Sequence, residues 1–404
     1  MNSPTSTVSL SQRVLEMQES ATLKMAKLAR ELKAQGQDVI DLSLGEPDFD
    51  TPVHIKDAAK QALDAGYTKY TPVNGLLELR EAIVRKMAKD HDLHYTVNQV
   101  VVSNGAKQSV YNLCMALLDP GDEVILPAPY WVSYYEIIKM AGGIPVIAHS
   151  DIDQDFKCTP QQIESLITDR TKFILYSSPC NPSGSVFSYA ELQAIAAMLQ
   201  AYEHVLVISD EIYEYINFDG QHHTIASMEG MKDRTVIING MSKGYAMTGW
   251  RLGHIIAPTW IADACTKIQG QVTSGASSFG QKAAAVALEA DHAPTFEMVS
   301  AFHKRRDLII SLLEQIPLLL VNRPQGAFYV FPDISAYFGK TSTSGYHVKD
   351  ADDMSLYLLA EAKVSTVSGG AFGNDKCIRL SYATSDEKLK SAAARIAEAL
   401  SKLQ

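Results

Sequence analysis

Short apolar runs recur between helical stretches along much of the chain: Glu123 to Leu126, Lys172 to Ser177, Val205 to Ser209, Thr235 to Ile238 and His254 to Ala257. A strand that is apolar along its whole length, rather than at every second residue, is buried on both faces, and helices between such strands cover them. The pattern predicts an α/β protein with a large, mostly parallel sheet lying between helices. One more strand, Gln99 to Ser103, runs directly into a helix expected over Ser103 to Leu118. Val110, Leu113, Cys114, Leu117 and Leu118 share one face of that helix, and Asp119-Pro120-Gly121-Asp122 stops it. An N-terminal helix is expected from Ala21 to Ala34, ending near Gly36.

Past about residue 300 the texture changes. A charged helix, Phe302 to Gln315, precedes alternating strands around Ala327 to Phe331 and Lys376 to Tyr382, with a polar surface loop over 339–353 between them. The closing helix, Glu387 to Leu403, puts Leu389, Ala393, Ile396, Leu400 and Leu403 on one side, so it docks. This region reads as a smaller α+β domain. A chain of 404 residues exceeds one core of usual size. The expected division is a large domain, residues 50–300, and a small domain built from residues 1–49 together with 301–404.

The net charge of -10, with no basic cluster, argues against nucleic acid as a partner. No apolar run approaches the roughly 18 residues of a membrane span, and residues 1–14 lack the apolar core of a signal peptide, so a cytoplasmic location is expected. Five cysteines without a C-x-x-C spacing are expected to be reduced thiols. His91 and His94 lie in a charged, exposed-looking stretch and His222-His223 in a polar loop, which gives no metal-ligand pattern, and no metal is expected.

In an open α/β sheet, ligands bind beyond the carboxyl ends of the strands. Four sets of polar residues follow apolar runs here. Asn104-Gly105-Ala106-Lys107 stands where a strand turns into a helix, so free N–H groups meet the positive end of a helix dipole, a phosphate site. Tyr130-Trp131 offers an aromatic face, read either as a stacking surface or as core. Asn181, flanked by Pro179 and Pro182, reads as a fixed hydrogen-bonding amide or an Asx turn. Asp210 at a buried strand mouth needs a cationic partner, and Tyr213 lies one turn on if a helix begins there; the competing reading is a helix cap and a core tyrosine.

A fifth segment, Ser242-Lys243-Gly244-Tyr245-Ala246-Met247-Thr248-Gly249-Trp250-Arg251, sets one lysine in a glycine-rich turn with an arginine eight residues on. A lysine forms an imine and an arginine clamps a phosphate. Pyridoxal phosphate, with one aldehyde and one phosphate, needs both functions, and its ring nitrogen would be the cation that Asp210 lacks.

Taken in order, Ser43-Leu44-Gly45-Glu46-Pro47-Asp48-Phe49, Lys69-Tyr70-Thr71-Pro72, Gly105-Ala106-Lys107-Gln108, Tyr130-Trp131, Asn181-Pro182-Ser183-Gly184, Asp210-Glu211-Ile212-Tyr213, Ser242-Lys243 and Arg379-Leu380-Ser381-Tyr382 resemble the motif series of class I pyridoxal-phosphate-dependent aminotransferases. The resemblance looks closest to bacterial-type aspartate aminotransferases, some of whose relatives also transaminate prephenate. It implies a fold-type I homodimer with shared active sites, acting on an amino acid and a 2-oxo acid by a ping-pong route, with aspartate and glutamate as the main expected amino acids. It implies Lys243 at the Schiff-base position, Asp210 at the pyridine nitrogen, and Asn181 with Tyr213 at the ring hydroxyl oxygen. Gly105, Ala106, Ser242 and Arg251 are implied for the phosphate, with Tyr70 reaching across from the other subunit, and Arg379, Asn181 and Gly45 for the substrate α-carboxylate. Lys107 is either a phosphate contact or the cation facing a distal acid group. Many relatives carry Lys-Pro where this chain reads Gln18-Glu19. The alternatives are a prephenate or aromatic amino acid aminotransferase, or a C–S lyase on the same cofactor. A regulator of transcription with an aminotransferase-like sensor is the non-enzyme alternative, but such proteins carry a basic DNA-binding domain first, and about forty residues precede the first motif here.

Overall fold

The computed structural model describes residues 10–218 and 220–404, so the first nine residues of the expected small domain lie outside it. After a short strand, β1 (Ile40–Asp41), seven strands form one sheet. They are β2 (Val100–Ser103), β3 (Glu123–Pro127), β4 (Ile144–Ala148), β5 (Thr171–Ser177), β6 (Leu206–Asp210), β7 (Thr235–Gly240) and β8 (Gly253–Ile256). Their order across the sheet is β2-β8-β7-β6-β5-β3-β4. Only β8 runs against its neighbours, pairing antiparallel with both β2 and β7, so the expectation of a mostly parallel sheet holds.

The apolar runs are continuous because both faces are covered. In β3, Val124 and Leu126 pack with Val110, Leu113, Tyr134 and Ile138 of the helices Ala106–Leu117 and Val132–Met140. Ile125 faces the opposite way, toward Leu192, Ile195 and Leu199 of the helix Tyr189–Leu199. Successive strand side chains alternate between faces, so each run feeds two cores at once.

Several boundaries move for identifiable reasons. Val97–Gln99 form a turn of 3-10 helix closed by a capping box with Thr96, so the first strand of the sheet begins at Val100 rather than Gln99. The following helix starts at Ala106 rather than Ser103, because Ser103 belongs to the ladder and Gly105 turns the chain at φ +86°. The long helix starts at Ala293, well before Phe302, with Pro294 in its first turn where a missing N–H costs nothing. The loop expected over 339–353 becomes helical at Ala351, where the Asp350 carboxylate accepts from the Asp353 N–H at 2.9 Å.

The C-terminal region holds β9 (Tyr329–Val330), β10 (Val364–Ser365), β11 (Val367–Ser368) and β12 (Ile378–Ser381), shorter than the runs suggested. An antiparallel sheet ordered β11-β12-β9 joins a pair in which β1 runs parallel to β10. Their core includes Phe302, Ile309 and Leu313 of the long helix and Leu389, Ile396 and Leu400 of the last helix, Asp386–Ser401.

Candidate active site

The parallel strands β3, β5, β6 and β7 end together, and the polar residues after them converge on one cavity of about 640 Å³. Ala106, Lys107, Trp131, Asn181, Asp210, Tyr213, Ser242, Lys243 and Arg251 line it, joined by Gly45 and Arg379 from the other sheets. These are the positions picked out from the sequence. Gly105 does not itself line the cavity but adjoins it, since an added side chain there would collide with the guanidinium of the lining Arg251. Tyr70 does not line the cavity of its own chain either and is 96% exposed.

The ladder of β2 with β8 explains how Arg251 reaches Gly105. Ser103 pairs with Gly253, so the residues that leave β2 and those that enter β8 meet at the same end. Arg251 is held there by its own backbone, donating from Nη1 to the Thr248 carbonyl at 2.8 Å. Gly253 has no room for a side chain, since one would strike the Gly105–Ala106 backbone. The helix Ala106–Leu117 thus starts, with its free N–H groups, where the Arg251 guanidinium lies, an arrangement that favours an anion.

Lys243 donates from Nζ to the Gly45 carbonyl at 2.5 Å and lies 5.6 Å from the ring centre of Tyr213. Burial, with the Arg379 charge adding to it, pushes its ammonium down to about pKa 8. At pH 7 that leaves about a tenth of the amine neutral and nucleophilic, far more than the roughly 0.04% of an exposed lysine. In the ligand-free protein, acetylation of Lys243 by dilute anhydride is therefore expected to gain about tenfold per pH unit up to about pH 8 and then level off. Exposed lysines should keep gaining toward pH 10, roughly; a Lys243 profile like theirs would contradict the assignment.

Asp210 is 4% exposed and has no cation within ion-pair distance among the described residues. Tyr134 Oη donates to its Oδ2 at 2.6 Å and the Ile212 N–H to its Oδ1 at 3.2 Å. Burial nonetheless raises the carboxyl to about pKa 6, despite those hydrogen bonds. Residues 212–215 form turns rather than the helix considered from the sequence, and the turn alone brings Tyr213 into the cavity. Tyr213 Oη meets Tyr329 Oη at 2.7 Å.

Arg379 is 1% exposed, sandwiched over the rings of Tyr329 and Phe372 with its guanidinium carbon 4.6 and 5.0 Å from their centres. Its Nη1 donates to Asn181 Oδ1 at 2.8 Å and Nη2 to the Ser43 carbonyl, while Nε has no partner. A buried guanidinium with a free donor and no carboxylate against it suits an incoming carboxylate. Lys107 Nζ lies 5.0 Å over Trp131. Among the described residues, four cationic residues (Lys107, Lys243, Arg251, Arg379) and two carboxylates (Glu46, Asp210) line the cavity, a balance that favours anions.

Sequence reasoning missed Tyr134, Tyr329, Ser20 and Thr22, which also line the cavity. Tyr134 had one signal, its place three residues after Trp131 on a helix, which puts both on neighbouring positions. The mouth near Ser20 and Thr22 carries hydroxyls beside Leu23.

Residues 37–396 match the family described as aminotransferase class I and II. The chain is 46% identical over 389 residues to an aspartate/prephenate aminotransferase of Cereibacter sphaeroides, covering 96% of this chain and 97% of that one. It is 44% identical over 389 residues to an aspartate aminotransferase of Geobacillus stearothermophilus, covering 96% and 98%. Among solved structures, an aspartate aminotransferase from Rhizobium meliloti superposes with a TM-score of 0.95 at 41% identity, covering 98% of this chain and all (100%) of that one. One from Thermus thermophilus with maleate gives 0.91 at 39%, covering 97% and 100%.

Proposed function

The chain belongs to the class I and II aminotransferases, and from that premise we propose that it moves an amino group between aspartate or glutamate and a 2-oxo acid, with pyridoxal 5'-phosphate held in the cavity around Lys243. The residues present fit that group. Asp210 is a buried carboxylate without a cation, the Gly105 turn leaves a cradle that a side chain would fill, and Lys243 is an amine with a lowered pKa. The bound cofactor supplies an aldehyde that takes up the amino group and a ring that withdraws electrons from the substrate Cα.

The chain's own residues do the rest. Gly105, Ala106, Ser242 and Arg251 would seat the phosphate, Trp131 would stack on the ring, Asn181 and Tyr213 would hold its hydroxyl oxygen, and Asp210 would keep its nitrogen protonated. Tyr134, through its bond to Asp210, orients that carboxylate. Arg379 grips the substrate α-carboxylate with help from Asn181 and Gly45. Lys243 Nζ takes the proton from the substrate Cα and returns it, which only a neutral amine can do. The convergence of Lys243, the buried Asp210, Arg251 and the buried Arg379 on one cavity is the observation that carries this reading. Borohydride reduction of the cofactor-loaded protein followed by peptide mapping tests it: the pyridoxyl label belongs on Lys243, and a label on another lysine would refute the assignment.

Domain division and assembly are part of the same proposal. Residues 50–300 would form the large domain and residues 1–49 with 301–404 the small one, supported by the separate sheets of the two regions. Tyr70, exposed on its own chain, would complete the partner's phosphate site in a cytoplasmic homodimer. A monomeric mass at working concentration would exclude that arrangement. Among the described residues no helix is long and apolar enough to cross a membrane.

Acidic substrates are proposed because cations outnumber carboxylates in the cavity, and a relative was solved with maleate, a dicarboxylate. Lys107 is the cation available for a distal carboxylate, given Gln18-Glu19 and the hydroxyls of Ser20 and Thr22 at the mouth. Lys107→Ala is expected to lower kcat/KM for aspartate about ten- to hundredfold more than for a neutral aromatic amino acid, the scale of one charge-assisted hydrogen bond. Equal losses would assign Lys107 to the phosphate instead. Prephenate is the second reading, favoured by the name of the Cereibacter relative and by the apolar Leu23 at the mouth. A wild-type preference for prephenate over oxaloacetate would establish it.

A further inference from the structure

A second cavity, of about 530 Å³, lies behind the turn that carries Asp210. Asp210, Ile212 and Tyr213 face the catalytic cavity, whereas Glu214, Tyr215 and Asn217 line this one. Its other walls are the last turn of the helix Leu77–His91 and the start of the helix Ala293–Leu313. The sequence suggested that His91 and His222 are surface groups. Both side chains are instead only 7% exposed, their rings edge-to-face at 5.8 Å, and both line the cavity.

Each of these imidazoles has a buried ring nitrogen without a hydrogen-bond partner among the described residues: Nε2 of His91 and Nδ1 of His222. His222 Nε2 lies 3.1 Å from a Glu211 carboxylate oxygen, so it carries the hydrogen, and in the neutral ring Nδ1 is a bare acceptor. His91 Nε2 is 3.9 Å from Glu214, too far for a hydrogen bond. Among the described residues, three carboxylates, Asp90, Glu214 and Asp291, line the cavity against one lysine, Lys89. The helix ending at His91 adds the negative end of its dipole. The positive start of the opposite helix is already occupied, since Asp291 accepts the Ala293 N–H at 3.0 Å. Lys86, behind the wall, takes one oxygen of Glu214 at 2.8 Å and bridges to Asp90 at 3.2 Å. An aromatic wall completes the site: the His292 ring lies 5.3 Å from Tyr215 and 6.3 Å from Phe296, all edge-to-face.

The unmet acceptor of His222, an excess of carboxylates and an aromatic wall all favour a hydrogen-bond donor with positive charge and an apolar body. We propose that this cavity is a second ligand site, which binds an organic ammonium compound with its charged nitrogen toward His222, His91 and Glu214 and its apolar part against Tyr215, His292 and Phe296. An occupant bears on the turn Asp210–Tyr215 from the face opposite the catalytic cavity.

The test is calorimetry on the cofactor-loaded protein at pH 8.5, roughly above the range in which free imidazole is charged. The probe is N,N-dimethylbenzylamine, a tertiary amine that cannot condense with an aldehyde and so leaves the catalytic cofactor alone. Saturable binding of one probe per chain is expected, with a dissociation constant of about 1 mM or tighter for a ligand of this size. His222→Gln, whose amide can still donate to Glu211, is expected to weaken it about tenfold. Phe296→Ala, at the rim where the ring is 58% exposed and folding is not at stake, should weaken it as well. Absence of saturable binding, equal binding of benzyl alcohol or benzoate, or unchanged affinity in both variants would each overturn the proposal.

Discussion

The Lys243→Ala protein is expected to fold and to lose turnover by about 10⁴-fold or more, the upper range for removing a positioned acid/base group that is also a nucleophile. Its effect on stability should run the other way. In the unfolded chain a lysine holds its proton up to roughly pH 10.4, whereas the folded ligand-free protein holds Lys243 at about pKa 8. The unfolded state then binds more protons between those values, so burial of Lys243 costs stability fully below pH 8 and ceases to do so above the unfolded pKa. The ligand-free variant should therefore melt higher than wild type at pH 7, with the gap narrowing as pH rises past 8. A lower melting temperature at pH 7 would mean that Lys243 is a structural anchor, and residual turnover within tenfold of wild type, or about that, would remove it from the chemistry.

Asp210→Asn is expected to cut single-turnover rates by about 10²- to 10³-fold, as when one partner of a buried charge pair is removed. The substitution keeps an acceptor for Tyr134 Oη, so the hydrogen bond at 2.6 Å survives, while the charge and the acceptor for the Ile212 N–H are lost. A loss that leaves melting unchanged thus reports on charge rather than on a collapsed site. The ligand-free Asp210→Asn protein should be no less stable than wild type near neutral pH, because its carboxylate is buried without a cation and burial has already raised it to about pKa 6. Near-normal single-turnover rates with unchanged cofactor spectra would show that no ring nitrogen depends on Asp210.

The sheet and most of the site were legible because they obey local rules. A run such as Val124-Ile125-Leu126 states by itself that both faces are covered, and residues just past such runs had to gather at one end. Lys243, Arg251 and the Gly105 turn carry their chemistry in residue type and spacing. Tyr134 does not, since its bond to Asp210 depends on how the helix Val132–Met140 lies on the sheet. His91 and His222 were misread for the same reason: each sits in a polar stretch, yet partners far along the chain bury them. The early start of the long helix at Ala293 was hidden because its first turns bury Thr295 and Met298 but leave Phe296 exposed, so the apolar residues there do not mark one face. Tyr70 is readable as a motif residue, but a single chain gives it nothing to touch in the cavity.

The antiparallel pairing of β2 with β8 has a consequence for how much error the site tolerates. Nothing in the local sequence ties Arg251 to Gly105; the ladder that sets Ser103 opposite Gly253 acts as an assembly jig for both. A slip by one residue would turn the buried side chains of one strand to the wrong face, and a slip by two, the smallest that keeps faces correct, would displace Arg251 by about 7 Å. The glycine at 253, whose backbone touches the Gly105–Ala106 turn, blocks intermediate settings by steric contact alone. The geometry of the proposed phosphate seat is thus quantised: an insertion in either strand leaves Arg251 beside Gly105 or removes it, and gradual detuning is not available to this fold.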